Sequence, residues 1–238
     1  MKIIGNTVGM GLPKPNLMQT DPSKGDYVAG KDIMATIEYV DGLTAELWAE
    51  IRYAPIDVLS VSNTIGTQEI GTVVQSGTVS WSLNKTPVSQ TVNGKSVSVD
   101  VRSDTVGPIS STTKFTVKAT DERGETDEGS TWAYFYNGVY YGTHTGTVMP
   151  TDAQLLALTK KLQSGRGLDL KGNAGVGQYL IYACPSDYGT PQFWYNGIQG
   201  GFYKLGTMLH TNKSGHEENY DVWLSESDEL GTRVITVK

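Results

Sequence analysis

The feature that most constrains this chain is apolar/polar alternation with a period of two, interrupted at short intervals by turn residues. Phe115, Val117 and Ala119 alternate with Lys114, Thr116 and Lys118, and Val79, Trp81 and Leu83 alternate with Ser80 and Ser82. Successive side chains of a strand point to opposite faces, so each run builds a half-buried strand. Asn93-Gly94, Asp121-Glu122-Arg123-Gly124 and Asn137-Gly138 supply the turns between them. Short strands with one apolar face have to bury those faces against one another, which predicts a mainly β chain.

Composition narrows the function classes. The chain has 238 residues, enough for one large β domain or for two smaller ones with an arm. Its single cysteine, Cys184, excludes an intrachain disulfide framework and reads as a buried, inert thiol. The 19 basic and 25 acidic residues give a net charge of −6, so no nucleic-acid partner is expected. The longest strongly apolar run, Tyr179 to Cys184, is far shorter than the ~20 residues of a membrane-spanning helix. Lys2-Ile3-Ile4 is broken at once by Gly5-Asn6, so the start does not read as a secretory leader.

Four regions follow from the pattern. Residues 1–32 are punctuated by Gly5, Gly9, Gly11, Pro13, Pro15, Pro22, Gly25 and Gly30 and show no periodicity. They read as an extended N-terminal arm that docks on a partner surface, with Leu12, Pro13, Pro15, Leu17 and Tyr27 as its anchors. Residues 33–54 read as a β-hairpin connector. Ile33, Ala35, Ile37 and Tyr39 lead to the Asp41-Gly42 turn, and the same phase resumes from Leu43 to Tyr53. Helix propensity in Ala45-Glu-Leu-Trp-Ala-Glu50 competes with that reading.

Residues 55–138 carry strands at Ile56–Ser62, Gly77–Asn84, Lys95–Arg102, Lys114–Thr120 and Thr131–Tyr136. This spacing predicts an immunoglobulin-like β-sandwich anchored by Trp81. Residues 139–238 read as a second β-rich domain with one short helix, Asp152–Gln163. Thr151 and Gln154 form its capping box, Leu155, Leu156, Leu158 and Leu162 its apolar stripe, and Gly165 its stop. Strands are expected at Tyr179–Cys184, Gln192–Tyr195, Tyr220–Ser225 and Arg233–Val237.

The polar residues fall into no recognisable catalytic or ligand-binding motif. His144, His210 and His216 are dispersed and lack metal-ligand spacing. The acidic turn with Asp121, Glu122, Glu125, Asp127 and Glu128, and the stretch His216–Asp221, read as solvated loops. Glycines 165, 167, 172, 175 and 177 match no phosphate-binding pattern and read as a flexible connection. Catalytic residues, metal ligands and cofactors are therefore not expected. Aromatics crowd the C-terminal half, and Phe193, Trp194, Tyr195, Phe202, Tyr203 and Trp223 are the candidates for glycan contact or a subunit interface, with core packing as the competing role.

Three runs resemble a known family. They are Trp81-Ser-Leu-Asn-Lys-Thr-Pro87-Val-Ser-Gln90, Lys114-Phe-Thr-Val-Lys-Ala-Thr-Asp-Glu-Arg-Gly124 and Phe135-Tyr-Asn-Gly-Val-Tyr-Tyr-Gly142. Together they resemble tailed-bacteriophage virion structural proteins with an immunoglobulin-like domain followed by a C-terminal β domain. The segment Leu12 to Tyr27 is similar to the opening segment of phage tail and fibre proteins, with Leu17 where the family keeps an aromatic. The resemblance implies a non-enzymatic tail, fibre or baseplate component, made in the host cytoplasm and located in the virion. Its implied partners are other virion proteins, further copies of itself and a host cell-surface glycan. A carbohydrate-binding module or receptor-binding tip, and a head decoration or head-fibre protein, are the alternatives.

Overall fold

A computed structural model of the chain describes Leu47, Ala49, Glu50 and residues 52–238. The expected arm, with Leu12, Pro13, Pro15, Leu17 and Tyr27, lies outside the described residues, as does the first strand of the 33–54 hairpin. Its second strand is corrected where it is described. Leu47, Ala49, Glu50 and Arg52 are helical, and the Tyr53 amide donates to the Glu50 carbonyl at 3.3 Å. Alanine, leucine and glutamate are strong helix formers. A helix closes its own hydrogen bonds, whereas alternation alone provides no partner strand.

Residues 56–238 form a compact unit of their own, mainly β. Its first half contains β1 (Val58–Asn63), β2 (Thr67–Glu69), β3 (Gly77–Leu83), β4 (Ser89–Val92), β5 (Lys95–Val97), β6 (Ser103–Val106), β7 (Thr113–Thr120) and β8 (Thr126–Tyr136). One sheet runs β1-β3-β6 and the other β2-β8-β7-β4-β5, antiparallel throughout except for the parallel β2–β8 pair. The inward residues of both sheets, Val79 and Trp81 from one and Val92, Phe115, Val117 and Ala133 from the other, make a single core with Ile65. Val79, Trp81, Phe115, Val117 and Ala119 are buried, as their alternation predicts.

Strands β2, β4 and β6 have no counterpart among the expected strands, and two boundaries depart clearly from the expected ones. The run 95–102 stops being a strand after Val97, because the Gln90 carboxamide takes the backbone of the following turn. Its Nε2 donates to the Ser98 carbonyl and, at 2.9 Å, to the Val101 carbonyl, while its Oε1 accepts the Trp81 indole N–H at 3.0 Å. Strand β8 begins at Thr126 instead of Thr131, since pairing with β7 continues to Thr120↔Thr126. Gly129 allows this. A Cβ there would lie 2.7 Å from Val58 Cγ1 and 2.8 Å from Val61 Cγ2, so only glycine lets β1 close on β8.

After Asn137 the chain continues into β9 (Gly138–Thr145), helix α1 (Asp152–Leu156), β10 (Thr159–Leu162), β11 (Leu168–Ala174), β12 (Gln178–Pro185), β13 (Phe193–Tyr195), β14 (Ile198–Gln199), β15 (Phe202–Thr211), β16 (Glu217–Ser225) and β17 (Gly231–Val237). A sheet ordered β10-β9-β12-β16-β15 packs on a sheet ordered β11-β17-β13-β14. Val139, Leu180, Tyr182 and Cys184 meet Leu168, Leu170, Phe193, Ile235 and Val237 between them. A second core covers the far face of the larger sheet, where Leu155 of α1 packs with Tyr140, Ile181, Ala183, Tyr220, Val222 and Leu224. Because β12 is covered on both faces, its run from Leu180 to Pro185 is continuously buried instead of alternating.

The helix is shorter than expected. Its capping box is present, with the Gln154 amide donating to Thr151 Oγ1 at 3.3 Å and the Thr151 amide to Gln154 Oε1 at 2.8 Å. Residues 159–162, however, form β10, which pairs along β9 from Thr159↔Tyr141 to Leu162↔Gly138. The open edge of β9 supplies ladder bonds that local propensity does not foresee. The glycine-rich stretch likewise holds β11, paired residue by residue with β17. Gly172 lies under Leu180, where a side chain would collide with Leu180 Cδ2, so its glycine serves packing and not flexibility.

Candidate functional site

The six C-terminal candidate aromatics divide between two environments. Phe193 is buried, Phe202 stacks on it at 4.1 Å between ring centroids, and Trp223 sits 5.8 Å from the same ring. These three belong to the core between the two sheets. Trp194 follows Phe193 on its strand and therefore points to the opposite face. It is half-buried with the Lys238 ammonium 5.1 Å from its ring centroid. Tyr195 and Tyr203 are exposed, and the Arg233 guanidinium carbon lies 5.5 Å from the Tyr195 ring centroid. Alternation puts half of this group inside, so it does not make one continuous surface.

A continuous aromatic surface occurs instead on β8. Trp132, Tyr134 and Tyr136 occupy alternate positions, while Ala133 and Phe135 between them are buried in the sandwich core or against it. Trp132 is 43% exposed and Tyr134 37%. Ring centroids are 6.1 Å apart from Trp132 to Tyr134 and 5.4 Å from Tyr134 to Tyr136, with interplanar angles of 11° and 16°. The pairing register puts Lys114 opposite Trp132, Thr116 opposite Ser130, and Thr67 of β2 opposite Tyr134. Asn63 Nδ2 donates to Thr131 Oγ1 at 2.9 Å and to the Trp132 carbonyl at 3.0 Å, which fixes the strand from the neighbouring sheet. The signal for this row was present in the sequence as aromatics at i, i+2 and i+4 of an expected strand.

The row ends at the joint between the two sandwiches. Tyr136 pairs with Glu69, and the buried Glu69 carboxylate accepts from Lys160 Nζ at 2.8 Å and from the Tyr140 hydroxyl at 3.5 Å. His210, also buried, lies 3.1 Å from that hydroxyl through Nε2 and 2.7 Å from Asp152 Oδ1 through Nδ1. Burial above all, with the Glu69 charge beside it, pushes the Tyr140 hydroxyl well above the usual tyrosine range. A neutral, fully enclosed phenol suits a structural hydrogen-bond chain and not a nucleophile. Asn212 Nδ2 to the Ile70 carbonyl at 2.8 Å and Thr72 Oγ1 to Ser214 Oγ at 3.0 Å complete the joint.

Glu122, Glu125 and Glu128 of the acidic turn are exposed as expected, but Asp121 and Asp127 are less solvated than the sequence suggests. Asp121 is buried and accepts the Ile56, Arg123 and Glu125 amides at 3.2, 2.9 and 3.0 Å, with Lys85 Nζ at 3.0 Å. Asp127 accepts the Val58 amide at 2.7 Å, and that bond holds its carboxyl below the ordinary range. The expected loop 216–221 is mostly strand β16. Burial alone would raise the Asp221 carboxyl there, but bonds from Lys204, Thr207 and Ser186 outweigh it and leave it lowered. Among the described residues no group of three or more His, Cys, Asp or Glu is placed to hold a metal ion, and no helix is long and apolar enough to cross a membrane.

No protein-family model matches the chain, and no curated protein matches it.

Proposed function

We propose that this chain is a non-enzymatic structural protein of a tailed-bacteriophage virion, a tail, fibre or baseplate component acting in particle assembly and host attachment. Its partners are other virion proteins and further copies of itself. The observation that carries this reading is the placement of the three runs that resemble the family. The first two meet where Lys85 pairs with Asp121 and Glu122 at 3.0 and 3.1 Å. The third, Phe135 to Gly142, is the strand-to-strand passage from β8 into β9. The resembling residues are thus those that build one sandwich and join it to the next. The strand order β1-β3-β6 over β2-β8-β7-β4-β5 supports an immunoglobulin-like module.

Mass spectrometry of purified particles tests the proposal. The chain is expected at a copy number set by a symmetric assembly. Its absence from particles of a phage that expresses it would overturn the reading. A carbohydrate-binding module is the second reading, favoured by the exposed row on β8.

A further inference from the structure

We infer that Asn196 is a covalent modification site, the position at which the folded protein loses side-chain ammonia and becomes aspartate or isoaspartate.

The chain contains three Asn-Gly dipeptides, at 93–94, 137–138 and 196–197. In each, the glycine backbone nitrogen can attack the asparagine Cγ, because no Cβ on the glycine obstructs the approach. The new N–Cγ bond closes a five-membered succinimide. The Cγ–Nδ2 bond breaks, and Nδ2 leaves as ammonia with the glycine amide proton. Water then opens the ring. Opening at Cγ gives aspartate, and opening at the main-chain carbonyl gives isoaspartate.

The attack needs a carboxamide free to swing and a backbone free to rearrange, and the three sites differ in both. Asn137 and Gly138 are buried; the Asn137 carbonyl accepts the Gln163 amide at 3.4 Å, and the Gly138 carbonyl accepts the Tyr220 hydroxyl at 2.7 Å. Asn93-Gly94 is an exposed turn between β4 and β5, but Asn93 is tied to Thr116 of β7. Its amide donates to the Thr116 carbonyl at 2.8 Å, and its Oδ1 accepts the Thr116 amide at 2.8 Å. Asn196-Gly197, between β13 and β14, is the twin of that turn, with φ of 47° and 81° against 49° and 78°. It lacks the clamp. Residues 196–199 are all exposed, and among the described residues nothing hydrogen-bonds to the Asn196 carboxamide.

The cost of opening separates the twins further. Strand β14 has only β13 beside it, through Trp194↔Gln199 and Tyr195↔Ile198, and Ile198 is 74% exposed. Opening the tip breaks a short edge ladder and uncovers no core, so it belongs to the cheap end of local unfolding. Isoaspartate adds a carbon to the main chain and shifts that register. Strand β13 stays on β17 through Phe193↔Val237 and Trp194↔Thr236.

The test incubates the full-length protein in mildly alkaline buffer, native and in urea, and follows the three peptides by tandem mass spectrometry. In urea the three dipeptides should react at rates within threefold of one another. In the native protein Asn196 should react at least tenfold faster than Asn93 and Asn137, and ion exchange should show a species one charge more negative. Asn196→Ser should remove that species with circular dichroism unchanged; the rates in the unaltered chain decide the matter even if this variant folds poorly. An Asn196 that stays intact natively for the time it takes to react in urea would overturn the inference. So would equal native rates at Asn93 or Asn137. Rates in urea that already differ tenfold in the same order would overturn it too, by assigning the preference to local sequence and not to the fold.

Discussion

Asp121 shows how much one side chain can hold in this protein. Its carboxylate takes three backbone amides and one ammonium, and it closes the β7–β8 hairpin from inside. Removing it takes that acceptor from three backbone amides, the costly direction for a buried bond, while Lys85 keeps Glu122. Asp121→Ala should lower stability by about 2–4 kcal/mol in urea denaturation. Asp221 adds a pH dependence. Its folded carboxyl binds a proton less readily than in the unfolded chain, so its contribution is full above the unfolded value and fades as pH falls through the lowered folded one. Stability should therefore drop on acidification below about pH 4, with a shallower slope in Asp221→Asn. Cys184 is buried, and burial pushes its thiol up to about 11. It should react with a thiol reagent at neutral pH only after unfolding; rapid labelling of the native protein would contradict the packing described.

At the scale of elements, β11 and α1 show where local signals mislead. Glycine in a strand usually weakens it, yet at Gly172 any side chain would force the buried Leu180 of the facing sheet to move. Gly172→Val should cost about 1–3 kcal/mol, measurable as a lowered denaturation midpoint. A wild-type midpoint in that variant would show that the sheets can separate without penalty. The residues after α1 have helical propensity and a leucine stripe, but β9 offers an unpaired edge and Glu69 a buried carboxylate for Lys160. Two long-range interactions outweigh one more helical turn. The same contest ends oppositely at Leu47, Ala49, Glu50 and Arg52, which are helical.

In the unit formed by residues 56–238, the two sandwiches are joined by a continuous passage from β8 to β9 and by the polar chain Lys160–Glu69–Tyr140–His210–Asp152, whose three middle members are buried. Buried polar chains of this kind are costly to break at any one link. The unit should unfold in a single calorimetric transition, and Glu69→Ala combined with Asn212→Ala should split or broaden it; two transitions in the unaltered protein would contradict the coupling. Much of this architecture was legible in the residues. The inward faces of β3 and β7, the capping box at Thr151, the β class and the core role of Trp81 all follow from periodicity and local chemistry. The paired face of β8 was legible too, since parity alone separates Trp132, Tyr134 and Tyr136 from Ala133 and Phe135. The direction of a strand side chain is a local property, so the sequence by itself determined which residues share a face. Which face is covered, which strands are neighbours, and whether 159–162 continues a helix or joins a sheet depend on partners far along the chain. Those questions were decided by the tertiary structure, because ladder bonds and burial are energies of pairs, and no single segment carries both members.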